Sequence, residues 1–267
     1  AYGSLQSAIN KYRARRYAEA AGSFFEAKEL ARSLTEKRTA ELYLAESLLR
    51  LDFPYSASKY YTMIVRRGMK STNPHFRKAL EALGQINSGV NLGQSQIVEM
   101  FAKRVDSSAV PGPARGFYFY YLGAEKYSQG KYRTAANHFN KVPSGSSYYP
   151  GAQFHLGVIA NLRGRHSRAI DKFRKVRNII SKNSSKIFLW EQATLNLARV
   201  YYEVRRFDEA ISFYAQIERN SDLWLDALWE GAWAHFRSER HNSTLGVIHT
   251  LHSPFFENRF YPESYIL

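Results

Sequence analysis

The chain has 267 residues, 45% of them hydrophobic, which is enough for one large core or a string of smaller ones. It contains no cysteine, so disulfides, thiolate zinc sites and a cysteine nucleophile are excluded together. A formal charge of +15 favours anionic partners: nucleic acid, a lipid headgroup surface or an acidic protein.

The longest uncharged apolar stretch, Gly116 to Ala124, is far short of the ~20 residues that a membrane-spanning helix needs. The chain opens on Ala1 rather than on methionine, which is compatible with a leader removed by processing.

In chain order, the first predicted helix pair carries Ala8, Tyr12, Tyr17, Ala20, Phe24 and Ala27, small and aromatic residues at helical spacing. The second carries Leu44, Ala45, Leu48, Ala57 and Tyr61. Pro54 starts its second helix, where a missing N–H costs nothing. From Pro74 to Val105, Leu83-Gly84 is followed by Gly89 and Gly93 with no aromatic anchor, so a degenerate unit is expected over 74–105. Pro111, Gly112 and Pro113 break the helical pattern and divide the array into 1–110 and 111–267.

The best-matched units follow. Leu122-Gly123 and Leu156-Gly157 stand 34 apart (156 minus 122). Gly130, Tyr132, Ala135 and Phe139 after the first pair recur as Gly164, His166, Ala169 and Phe173 after the second. A sixth unit holds Leu197-Ala198, Tyr201, Phe207, Ala210 and Tyr214, displaced by 41 (197 minus 156). Its seven extra residues are assigned to the polar stretch Ser181 to Ser185. The seventh has Gly231 as its small residue, Trp224, Trp229 and Trp233 on its first helix, and a weakly marked second helix near Ser243 to Thr250. A further helix begins around Phe260 to Ser264 and stops at Leu267, so the native chain is expected to continue.

This period and its small/aromatic pattern resemble the tetratricopeptide repeat. The resemblance implies an all-α fold, a right-handed α-solenoid of about seven helix-turn-helix units. It also implies a non-enzymatic scaffold that holds a segment of another protein in a groove lined by the first helix of each unit. No catalytic residue, cofactor or metal site is implied. The segments LDFPYSASKYY and ARVYYEVRRFDEAISFYAQIERN are further similar to tetratricopeptide proteins of the bacterial cell envelope, including outer-membrane assembly lipoproteins. That places an envelope or motility complex, and the periplasm or envelope, ahead of the cytoplasm.

If the groove follows the family, its candidates lie one turn either side of each small residue. They are Tyr120 and Tyr127, then Phe154, Val158 and Asn161, then Leu195, Arg199 and Tyr202, and finally Leu228 and His235. Tyrosines suit peptide capture because they bury area at small entropic cost and keep a polar tip. Arg199 could form a bidentate pair with an acidic side chain or a terminal carboxylate of a partner. Some family members clamp a carboxylate with lysine, arginine and asparagine. Here Asn161 and Arg199 match in part, and the fourth unit offers tyrosine in place of a further base.

The basic excess is concentrated. Between Arg163 and Lys186 lie Arg163, Arg165, Arg168, Lys172, Arg174, Lys175, Arg177, Lys182 and Lys186 against one acid, Asp171. An unbalanced run on a second helix reads either as a solvated outer face or as a surface for an acidic partner or an anionic membrane. Single-stranded RNA stacked on exposed tyrosines is the second functional reading. A helical accessory domain of a larger enzyme is the third. His249 and His252, with His235 and His241 upstream, lack the carboxylate of a helical zinc signature.

Overall fold

The computed structural model describes residues 2–67, 74–86, 110–182 and 184–253. Among these residues it contains α-helices and one short 3-10 turn, and no strand. The chain packs as two compact units, Ala1–Tyr149 and Pro150–Leu267, so the Pro111-Gly112-Pro113 connector lies inside the first.

The first unit holds α1 (Tyr2–Arg13), α2 (Tyr17–Glu29), α3 (Leu34–Arg50), α4 (Pro54–Arg67) and α5 (Pro74–Ile86). After the connector, a 3-10 turn at Gly112–Ala114 leads into α6 (Arg115–Ser128), which is followed by α7 (Tyr132–Phe139). The second unit holds α8 (Tyr149–Leu162), α9 (His166–Ile179), α10 (Ile187–Glu203), α11 (Phe207–Tyr214), α12 (Trp224–Arg237) and α13 (His241–Leu251). Gly89, Gly93 and the helix start after Phe260 lie outside the described residues.

Six helix pairs turn the same way. Two residues past each first helix the backbone is left-handed, at Arg15 (φ 58°), Asp52 (63°), Gly130 (71°), Gly164 (66°), Arg205 (61°) and Glu239 (59°). The next N–H then reaches back across the turn, as from Lys131 to the Lys126 carbonyl at 2.9 Å and from Arg206 to the Tyr201 carbonyl at 2.8 Å. The turn residue's own N–H bonds three residues back, as from Gly164 to Asn161 at 2.8 Å. This paired closure satisfies carbonyls that the helix end would otherwise leave bare.

Counting from these turns puts like residues in like places. Seven positions earlier (157 against 164) stand Ala8, Ala45, Gly123, Gly157, Ala198 and Ala232. Five later stand Ala20, Ala57, Ala135, Ala169, Ala210 and Thr244, and nine later Phe24, Tyr61, Phe139, Phe173, Tyr214 and Ile248. All are buried. A small residue on each helix lets the pair approach closely, and the large residue one turn on fills the space below the crossing.

This register corrects two expectations. In the seventh unit the small residue is Ala232, seven before Glu239. Gly231 faces Tyr214 of the preceding helix instead, where an added Cβ would meet the Tyr214 Cβ at 3.5 Å. The seven extra residues between units five and six are not a polar loop either. They lengthen helices: α9 has 14 residues and α10 has 17, against 8 in α11 and 14 in α12. The apolar spacing of Phe173, Val176 and Ile180, followed by Trp190, carries the buried stripe through the added turns.

In the first unit, Ala8, Ala20, Phe24, Ala40 and Leu44 form a core where Tyr12, Phe24 and Tyr43 pack ring on ring. Ser33 begins α3 by accepting the Glu36 N–H at 3.1 Å, while the Glu36 carboxylate accepts the Arg32 N–H at 3.0 Å. Glu41, also on α3, is 1% exposed, and its two oxygens accept from Arg67 Nη1 at 2.8 and 3.1 Å.

Candidate functional site

On α10, Arg199, Tyr202 and Glu203 are spaced three and four apart and so share one face. The opposite face buries Trp190, Leu197, Ala198 and Tyr201 in the core of the second unit. Glu230 and Trp233 share a face of α12 in the same way, and Tyr214 closes α11 between the two helices. These six side chains line a pocket of about 630 Å³.

The polar groups of the pocket are already tied to one another. Glu230 receives Arg199 in a bidentate pair, Nε to Oε2 at 2.8 Å and Nη2 to Oε1 at 2.6 Å, and the Tyr214 hydroxyl donates to Oε2 at 3.0 Å. Hydrogen bonding to Glu230 raises the Arg199 guanidinium above its ordinary range. Burial, and then the Glu230 charge, raise the Tyr214 phenol well above its own. At the rim, Glu203 accepts from Asn161 Nδ2 at 3.1 Å, and His166 Nδ1 lies 3.4 Å from the other Glu203 oxygen and 2.9 Å from Asn161 Oδ1.

Of the expected binding residues, Arg199 and Tyr202 line the pocket and Asn161 reaches its rim through Glu203. Arg199 commits its Nε and Nη2 to Glu230, so a partner carboxylate would meet only the remaining guanidinium edge, beside a carboxylate of this chain. Leu195 is 2% exposed and belongs to the core. Phe154 and Val158 pack against that core half-buried, Phe154 with its ring 5.6 Å from Phe173. Leu228 is half-buried on α12. His235 is not part of the pocket lining, and its Nδ1 is buried without a hydrogen-bond partner among the described residues.

Tyr120 and Tyr127 belong to the first unit. The Tyr120 ring sits against Tyr121, Phe139 and Tyr148 with centroids 5.3, 5.8 and 5.4 Å away, and burial pushes its phenol up to about 12. That is a packing role. Tyr127 is half-buried with its ring 5.4 Å from Tyr132.

The basic run divides. Arg163, Arg165 and Arg168 are exposed and make no ion pair among the described residues; Lys175 is exposed as well. Lys172, Arg174 and Arg177 are tied to other side chains of the unit. Lys172 donates to the buried Gln153 at 2.8 Å, and Arg174 donates to the Tyr201 hydroxyl at 2.7 Å. Arg177 bonds Gln216 and lies over Trp190 and Phe213, 4.7 and 5.0 Å from their centroids. Burial comes first in lowering the affinity of both Lys172 and Arg177 for their protons.

Glu203, Tyr214, Glu230 and Trp233 were not among the expected site residues. Glu203 lies one turn beyond Arg199, and Glu230 is three before Trp233, so the helical-face rule finds them once charged residues are counted with aromatic ones. The pairing of Arg199 with Glu230, 31 residues on, comes from packing alone.

The comparisons with known proteins agree with this architecture. Residues 193–222, spanning most of α10, α11 and the turn after them, match the tetratricopeptide repeat family model. A chain of the Cut9–Hcn1 hetero-tetramer of the APC/C is similar in fold, with a TM-score of 0.52 at 15% identity. The match covers 92% of this chain but only 45% of that one, so this chain spans under half its length. BtubC from P. vanneervenii (TM-score 0.48, 13% identity) and pilF of Pseudomonas aeruginosa (0.40, 15%) are looser likenesses. BtubC is matched over 93% of both chains, and pilF over 96% of this chain and 94% of its own. No curated protein matches the chain in sequence.

Proposed function

Since these helix pairs have the tetratricopeptide-repeat fold, we propose that the chain works by binding and not by catalysis, holding a segment of a partner protein against the first helices α10 and α12. The pocket between them carries the reading: two half-buried aromatic rings, Tyr202 and Trp233, flank a hydrogen-bonded polar floor in a hollow of about 630 Å³. Rigid aromatic anchors around a few oriented polar groups are what a peptide-binding wall requires. An envelope or motility setting is supported by the resemblance of the two segments quoted above, and cell fractionation tests it.

The test is affinity capture with the parent chain, with Tyr202→Ala, with Trp233→Ala and with an Arg163→Glu/Arg168→Glu control on α9 and its preceding turn. A partner that binds the parent and the control but not the pocket variants supports the reading. If the control alone loses the partner while both pocket variants keep it, binding runs through α9 instead. That second reading is a docking face for an anionic surface, and the three exposed arginines without ion pairs favour it.

A further inference from the structure

The lining of the pocket runs against the charge of the chain. The protein carries +15 overall, yet the pocket wall contributes Glu203 and Glu230 against the single permanent cation Arg199. Asp226, one turn before Glu230 on α12, is also close enough to act on Arg199. These four groups sum to two negative charges. Glu230 and Arg199 neutralise each other through two short bonds, which leaves Glu203, held at the rim by Asn161 and beside His166, as the lining carboxylate without a permanent cation, its side chain 46% exposed.

The uncharged part of the lining is aromatic. Tyr202, Tyr214 and Trp233 present ring surface, and Trp233 is itself held edge-on by Trp229 and Phe236 at centroid distances of 5.9 and 6.1 Å. Ring faces attract cations through their quadrupole, and tryptophan does so best. A partner carboxylate would meet these faces, Glu203 and Glu230 together, all unfavourable to it. A lysine or arginine side chain would lay its aliphatic stem on the rings and bring its head to Glu203.

We propose that the α10–α12 pocket is a receptor for a cationic side chain, the lysine or arginine of a partner segment, with Glu203 as the charge partner and Trp233 and Tyr202 as the walls. This rests on the binding reading above and gives it a chemical class, opposite in sign to the acidic guest expected from Arg199 alone. The arginine instead fixes Glu230 and the Tyr214 hydroxyl and so shapes the floor.

A random peptide library displayed on phage and selected on the full chain tests it. The enriched peptides should share a lysine or arginine. Their affinity should fall on the order of tenfold in Glu203→Gln, further in Glu203→Lys, and with rising salt. Glu203 is half exposed at the end of α10, so neither change threatens the fold; Trp233→Leu, which keeps bulk but removes the ring face, should weaken binding too. Peptides lost on Trp233→Leu but lacking a base and indifferent to Glu203→Lys would overturn the cationic guest and leave the groove standing. Selected peptides indifferent to every one of these variants would remove the groove itself.

Discussion

The ring of Phe173 packs against the backbone of Gly157: a Cβ at position 157 would stand 2.7 Å from Phe173 Cε1, closer than two carbons can approach. One repeat earlier the same relation joins Gly123 to Phe139, again at 2.7 Å. Both rings are fully buried and have nowhere to retreat. Gly157→Ala should therefore destabilise the second unit by about 1 to 3 kcal/mol, against a helix-propensity gain of about 1. At Gly231 the nearest atom is 3.5 Å from the added Cβ, so Gly231→Ala should be neutral or stabilising by up to about 1 kcal/mol. Thermal melts of the two alanine variants, falling for Gly157→Ala and level or rising for Gly231→Ala, check the register.

Glu41 is a buried carboxylate whose charge is met by Arg67. Arg67→Met leaves that charge uncompensated and should cost about 3 to 5 kcal/mol, whereas Glu41→Met combined with Arg67→Met should recover most of the loss. Urea unfolding of the single and double variants measures the difference. Equal stability of the two would show that the pair holds nothing in place.

Four of the six left-handed turn positions carry a side chain that prefers another conformation. Arg205→Gly and Glu239→Gly should each raise stability by less than about 1 kcal/mol, the relief of strain being partly offset by the freedom glycine gains in the unfolded chain. Gly164→Val, at φ 66°, should lower it by about 1 to 2 kcal/mol. A fall in denaturation midpoint for Arg205→Gly would refute the strain.

Burial pushes His155, on α8, down to about 4. The unfolded chain titrates near the ordinary histidine value of about 6.5, so between those two pH values the unfolded state holds a proton that the folded state lacks. Stability is therefore full above about pH 6.5 and declines as pH falls towards 4, by up to about 3 kcal/mol from this group. His75, His138 and His235 are shifted in the same direction, each chiefly by burial, and add to the decline. His155→Gln should flatten the stability profile over that window; an unchanged slope would assign the acid sensitivity elsewhere.

The basic run should separate by variant. Arg163→Glu, Arg165→Glu and Arg168→Glu together should leave the melting temperature where it is and lower the salt needed to elute the chain from a polyanion column. Arg177→Glu should destabilise, because its guanidinium is packed on Trp190 and Phe213 and bonded to Gln216. A melting temperature that ignores Arg177→Glu would return the whole run to solvent.

The helices, their pairing and the 34-residue period are determined by the sequence itself, because small and large residues at helical spacing are a local signal. Ala20 with Phe24, Ala135 with Phe139 and Ala169 with Phe173 each announce the same crossing, and no distant residue is needed to read them. The aromatic side of the pocket was half legible for the same reason, in Tyr202 and Arg199 but not in the residues across from them. Tertiary structure decided the rest. Whether Tyr120 is wall or core depends on Phe139 and Tyr148 arriving at its ring, and Arg199 changes from a free donor to a neutralised one when α12 brings Glu230 within 2.6 Å. The left-handed turns at Arg205 and Glu239 are equally non-local, since packing of the two flanking helices forces a conformation that those residues would not choose alone. Burial and charge pairing are properties of the packed pair, and a sequence read one helix at a time holds only one partner of each.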